Sequence, residues 1–147
     1  MSYRFTVPGQ PQGKGRPRFA VNGGYARAYT PERTASYENL VKLSYQREYG
    51  QTMTAGPLKM AIRAYYTMPS SWSKKRRLAA LNREIYPVVK PDMDNIVKVI
   101  CDALNGIAYL DDKQIVSLEM YKRYDVAPRV EVLIEEVNIE PEYGAVL

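Results

Sequence analysis

Five of the chain's six aspartates, Asp92, Asp94, Asp102, Asp111 and Asp112, fall between positions 92 and 112. Like charges packed that closely repel one another unless something cationic sits among them. Helix ends and turns, which also favour aspartate, are the alternative explanation. The rest of the composition narrows the chemistry. The 147 residues include no histidine and a single cysteine, Cys101. No Ser-His-Asp triad, Cys-His dyad, histidine general base or histidine-ligated metal is available to such a chain. One cysteine forms no internal disulfide, which fits a reducing compartment and a cytoplasmic location. Carboxylates that act without imidazole or thiolate make a hard, all-oxygen site. Such a site selects Mg²⁺, or Mn²⁺, over zinc or copper, and it needs no organic cofactor. Ions of this kind hold phosphate oxygens, activate water and stabilise a leaving oxygen.

The elements that must position these carboxylates can be read from periodicity. In the segment DMDNIVKVICDALNG, 100° per residue gathers Met93, Ile96, Val97, Ile100, Ala103 and Leu104 into one apolar arc. Asp94, Asn95, Lys98 and Asp102 share the opposite arc, and Gly106 ends the helix. Asp92 falls outside the polar arc and follows Pro91, which places it at or just before the N-cap. Asp111 and Asp112 are expected at a turn beyond the helix. A helix of about 12 residues is roughly 18 Å long, so the chain must double back to bring this pair near the first. Extended chain covering about 3.3 Å per residue can do so between Gly106 and Asp111. Lys98 lies one turn after Asp94. It is either an i,i+4 partner of that carboxylate or a cation for a substrate phosphate. Asp102 reads as a partner of Lys98 or a helix-surface residue, and Cys101 as a small core residue.

Around this helix the pattern predicts a first strand at Tyr3–Val7 and a hairpin turning at Asn22-Gly23-Gly24. A helix capped by Thr30 should run to Gly50, and a strand should follow over Leu58–Tyr66. A short basic helix capped by Ser70 or Ser71 comes next, then the extended YPVVKP. Gln114–Tyr124 and Arg129–Val137 read as a closing hairpin. Together these imply a single α+β domain, residues 1–147, with a mixed or mainly antiparallel sheet and packed helices. No apolar run reaches the length of a membrane span, and the N-terminus carries no signal-peptide pattern.

Charge adds a partner. The net charge is +5, but residues 1–90 hold 16 Lys and Arg against 4 acidic residues, whereas residues 91–147 hold 5 against 12. A basic surface beside a carboxylate site points to a nucleic-acid phosphodiester as substrate. In the basic segment 9–30, Lys14, Arg16 and Arg18 alternate with Gly15 and Pro17, with Arg27 and Arg33 extending the patch. Such a loop reads as mobile, unable to bury its charges and suited to a phosphate backbone. Lys74-Lys75-Arg76-Arg77 is a second cluster, and Lys90 sits beside the aspartates. Either cluster is a DNA contact or a solvated charged face. Tyr25, Tyr29 and Trp72 are candidates for stacking on exposed bases.

The run K-P-D-x-D-N-x-x-K-x-x-x-D-A-L-N-G…D-D-x-x-I, Lys90 to Ile115, closely resembles the RusA family of Holliday junction resolvases of bacteria and their prophages. The resemblance implies a homodimeric, Mg²⁺-dependent endonuclease that binds four-way DNA junctions and nicks two strands symmetrically. Carried over by motif, the family's leading catalytic aspartates fall on Asp92 and Asp94, its lysine on Lys98 and its third aspartate on Asp112. Asp92, Asp94 and Asp112 are then the metal ligands. Asp111 is either a turn residue or a support to the site. The GKGRPRF stretch lies outside the motif and inherits no role from it. The rival readings are a non-catalytic structure-specific DNA-binding protein and a nuclease preferring flaps or forks.

Overall fold

A computed structural model describes residues 1–15, 18–29 and 31–138, with the backbone alone for residues 18–20, 22 and 25–29. In chain order the elements are β1 (Ser2–Pro8), β2 (Arg18–Asn22), β3 (Tyr25–Tyr29), α1 (Glu32–Tyr49), β4 (Leu58–Thr67), α2 (Lys74–Leu81), α3 (Met93–Leu104), a 3₁₀ turn (Asp112–Gln114), β5 (Ile115–Asp125) and β6 (Arg129–Glu136). The fold is α+β, as the pattern predicts. Four strands form a mixed sheet in the order β1-β6-β4-β5, and β2 and β3 form a separate hairpin.

Alternation along β4 sets the faces of the sheet. Leu58, Met60, Ile62 and Ala64 are buried while Lys59 and Arg63 are exposed. In register beside them lie Ile134, Val132 and Val130 of β6, then Phe5 and Val7 of β1. Val41 and Tyr45 of α1 and Ile96, Ile100 and Leu104 of α3 complete one continuous core with these strands. Both helices therefore cover a single face of the sheet.

The expected closing hairpin does not form. β5 pairs with β4 in parallel and β6 pairs with β4 antiparallel, so β4 stands between them. The link Val126–Pro128 passes the end of β4 rather than turning back on β5. Proximity in sequence favours a hairpin, but β4 is the most completely buried strand, and pairing on both edges satisfies its backbone groups.

Helix starts differ from expectation by a few residues. Thr30 lies outside the described residues, and the N-cap of α1 is Pro31. α2 is capped by Ser73, whose hydroxyl accepts the Arg76 N–H at 3.2 Å, not by Ser70 or Ser71. α3 ends at Leu104, with Asn105 at its C-cap. Its buried face holds Ile96, Val99, Ile100, Cys101, Ala103 and Leu104, while Met93 is 42% exposed. The apolar arc thus sits further along the helix than the 100° projection gives. Among the described residues no helix is long and apolar enough to cross a membrane.

Candidate active site

α3 is the element that organises the site. Asp92 is its N-cap, with extended backbone (φ −68°, ψ 154°), yet its side chain makes no capping hydrogen bond. The alternative explanation for an aspartate there, a satisfied cap, therefore fails, and among the described residues the carboxylate has no hydrogen-bond partner. Upstream, the Tyr66 hydroxyl donates to the Pro91 carbonyl at 2.7 Å, and Lys122 Nζ donates to the Val89 carbonyl at 2.8 Å. These bonds tie the extended segment before α3 to β4 and β5. Asp94 stands in the first turn, where the helix dipole favours negative charge.

The chain doubles back after α3, as the helix length requires. The backbone N–H groups of Thr52 and Met53 both reach the Ile107 carbonyl, and that of Thr54 reaches Ala108. Tyr109 is fully buried and its hydroxyl donates to the Cys101 carbonyl at 2.8 Å. This return leads directly into the Asp111-Asp112 pair. Asp111 is the N-cap of the 3₁₀ turn, and its carboxylate accepts the Lys113 N–H at 2.9 Å. Gln114 completes a capping box. Its side-chain oxygen accepts the N–H groups of Leu110 and Asp111, each at 3.0 Å, and its amide donates to the Thr54 and Gly56 carbonyls. Asp111 is thus a turn residue, which leaves Asp112 as the member of the pair free to face α3. Gln114 escapes a search for charged clusters, although Asp111-x-x-Gln114 carries the capping-box spacing.

Asp94, Lys98 and Asp112 line one open cleft between α3 and β5, with Val97, Cys101 and Ile115 among its walls. Asp92 instead lines the adjoining groove, together with Lys90, Pro91, Asn95 and residues 11–14. The electrostatics of the cleft are unbalanced. Burial, then the carboxylates of Asp111 and Asp102, push the Asp112 pKa above its ordinary value, against an opposing pull from Lys98. Lys98 Nζ lies 3.4 Å from an Asp102 carboxylate oxygen, so its i,i+4 partner is Asp102 and not Asp94. Cys101 is buried, and burial followed by the Asp112 charge pushes its thiol up to about 11. It stays protonated near neutrality and offers no nucleophile.

A model of the family described as endodeoxyribonuclease RusA matches residues 8–135, which is most of the chain. The chain belongs to the RusA endodeoxyribonuclease family. It is also 39% identical, over 137 residues, to the uncharacterized protein YqaN of Bacillus subtilis strain 168, across 92% of this chain and 96% of that one. The RusA match spans both the 90–115 motif and the strap of residues 9–15. It makes the protein a member of a DNA-cleaving family, which fits a site built on carboxylates and one lysine.

The basic residues of this RusA chain fare unequally. The sequence pattern predicts Lys14 in a mobile loop that leaves its charge in solvent. Instead its ammonium is paired with Glu38 of α1 and lies 3.3 Å from Asp102 of α3, with its side chain only 21% exposed. Burial lowers its pKa, but the two carboxylates outweigh that and hold it above the ordinary lysine value. The glycines on either side allow close approach rather than mobility. A Cβ on Gly15 would stand 2.6 Å from Thr34 Oγ1, and one on Gly13 would stand 3.0 Å from Asn95 Cβ. Arg16 lies outside the described residues, as do the side chains of Arg18, Arg27, Tyr25 and Tyr29. Arg33 is exposed on α1.

In the second cluster Lys74 and Lys75 are exposed. Arg76 lies over the Trp72 ring at 4.4 Å, and Arg77 donates to the Pro69 and Trp72 carbonyls. Trp72 itself packs edge-on against Tyr124. Lys90 is exposed in the groove that holds Asp92.

Whether the site suits a divalent ion can be judged from its donors. Among the described residues no three acidic or thiol side chains converge on one point. An octahedral Mg²⁺ does not need such a cage, because it keeps several waters and takes one or two carboxylates plus substrate phosphate oxygens. Asp94 and the crowded Asp112, in a cleft open to solvent, fit that description.

Proposed function

We propose that the protein is a Mg²⁺-dependent endonuclease of the bacterial cytoplasm that resolves four-way DNA junctions, acting as a homodimer that nicks two opposing strands. The observation that carries this reading is the convergence of Asp94, Lys98 and Asp112 on one solvent-open cleft, with Asp112 crowded by like charge. Crowded carboxylates in an open cleft are poised for a cation.

In this reading Asp94 and Asp112 would hold the ion, with the Asp92 carboxylate at the start of the same helix, lining a separate groove. The ion, when bound, supplies a more acidic water and positive charge at the leaving oxygen. The chain's own contribution is positional. Lys98 places an ammonium beside the carboxylates, where it faces a scissile phosphate and offsets charge that grows in the transition state. Exposed Lys74, Lys75 and Lys90 meet the phosphate backbone, together with Arg16, Arg18, Arg76 and Arg77. Such contacts recognise the shape of a junction rather than its sequence. Two copies related by a two-fold axis present two clefts to opposing strands.

The test is a cleavage assay on four-way junction, fork and linear duplex, with and without Mg²⁺. Paired symmetric nicks confined to the junction are expected. Asp94→Asn should bind the junction at wild-type affinity and fail to cut it. An Asp94→Asn protein that cuts at the normal rate sinks the site assignment. Absence of Mg²⁺-dependent cleavage of any of these DNA forms by the wild type favours a binding protein instead.

A further inference from the structure

A chain of alternating charge crosses the molecule from α1 to the cleft. Glu38 on α1 pairs with Lys14 on the strap, Lys14 lies 3.3 Å from one oxygen of Asp102, and the other oxygen of Asp102 lies 3.4 Å from Lys98 Nζ. One carboxylate thus serves two ammonium groups, one at each oxygen. The two ends differ in solvation. The Lys14 and Asp102 side chains are each 21% exposed, whereas that of Lys98 is 62% exposed.

An exposed lysine on a helix face carries large rotamer freedom, and a lone exposed i,i+4 partner restrains it weakly. Here the partner is itself fixed from behind. The Lys14 N–H donates to the Asn95 carbonyl at 3.1 Å, and the Gly15 N–H donates to Thr34 Oγ1 at 2.9 Å. The strap is therefore tied to both α3 and α1 on either side of the Lys14 side chain. Lys14 also balances Asp102. Without it, Asp102 would draw on Lys98 in its place and leave less of that charge to offset Asp112.

We propose that Lys14 and Asp102 are positioning residues that fix the Lys98 ammonium over the cleft, and that Lys14 is not a DNA contact. The proposal rests on the reading of Lys98 as a catalytic residue. It gives the N-terminal strap, which lies outside the 90–115 motif, a defined part in the reaction.

The experiment measures single-turnover cleavage of a four-way junction by the full chain, together with junction affinity across a salt series in the absence of divalent ions. Lys98→Met should slow cleavage. Asp102→Asn and Lys14→Met should each slow it about 10-fold to 100-fold, as misplacement of a reacting group does, with affinity and its salt dependence unchanged. Combined with Lys98→Met, neither should add a further loss, and Lys14→Arg should restore most of the rate. If Lys14→Met fails to fold, the cycle between Asp102→Asn and Lys98→Met decides alone.

Two results overturn the proposal by itself. One is a loss that stays additive in the Lys98→Met background. The other is a Lys14→Met protein that binds the junction more weakly with a salt slope reduced by about one, the mark of a lysine that had been neutralising a phosphate. A Lys98→Met protein that cleaves normally overturns the catalytic reading itself, and this inference with it.

Discussion

The strap and the cleft hold charge in opposite ways. On the strap, the half-buried ammonium of Lys14 is matched by Glu38 and Asp102, and the pairing outweighs the burial. In the cleft, Asp112 is partly buried and faces Asp111 and Asp102 with, among the described residues, the exposed Lys98 against them, and its pKa is raised. The first arrangement is what a stable fold does with a charge it must bury. The second is tolerated at a cost in stability, which is expected where a site awaits a cation or a phosphate. The difference shows which charges in this chain hold the structure and which are held ready by it.

That contrast breaks most sharply at Asp112. Asp112→Asn removes the crowding, and so it should stabilise the fold by up to about 1 kcal/mol, or roughly 3 °C in Tm for a chain of this size. The same change should slow junction cleavage by about 10³-fold. A thermal melt and a single-turnover assay on one preparation check both. A variant that loses stability, or keeps its rate, removes Asp112 from the functional side of the comparison.

The strap should respond with the other sign. Gly15→Ala places a methyl 2.6 Å from Thr34 Oγ1, where the Gly15 N–H already donates. Overpacking together with a disturbed hydrogen bond should destabilise the protein by about 1–3 kcal/mol, read as a lower urea midpoint at unchanged slope. Gly13→Ala, with its nearest neighbours at 3.0 and 3.1 Å, should cost less. A mobile strap would accept either substitution without change.

These responses bear on what is legible in the sequence. The helical period of α3 places Asp94, Lys98 and Asp102 on one polar face, and the position of Asp92 outside that face and after Pro91 places it at or just before the N-cap, because both depend only on local geometry. The doubling back to Asp112 follows from helix length and chain reach. The partner of β5 is not legible. Strand order depends on which buried strand can satisfy two neighbours, and β4 takes that place over the short link between β5 and β6. The place of Lys14 is hidden for a related reason. Glycine on both sides of a lysine looks like a flexible loop until Thr34, Pro91 and Asn95 are seen to press against it. Close approach and mobility leave the same mark in composition, and only the tertiary neighbours separate them.

A third set of charges, on α2, sharpens the comparison from outside it. Lys74 and Lys75 are exposed, neither half-buried and paired like Lys14 nor set in a cleft like Lys98. Replacing both with alanine should leave the rate at saturating junction unchanged. It should lower affinity and reduce the salt slope by about one for each phosphate that is no longer neutralised. Unchanged affinity across the salt series would make them a solvated face.

The smallest effect is in the pH dependence of stability, where the two regions separate by sign and window. The folded-state pKa of Asp112 is raised above the ordinary 3.8, so the folded chain binds more protons than the unfolded one between the two values. Stability contributed there is present below 3.8 and is lost as pH rises through the folded value. The advantage of Asp112→Asn should therefore be absent in acid and grow to a plateau above that window. Lys14 is also raised, from 10.5, so the stability it contributes is full below 10.5 and is lost only as pH climbs through its higher folded value. Lys14→Met should cost stability evenly from neutrality up to about that point and progressively less beyond it. Chemical denaturation of the two variants and the wild type across pH checks both windows. If the Asp112→Asn difference were flat with pH, the burial and like-charge crowding of Asp112 would not be what sets the cleft apart from the strap.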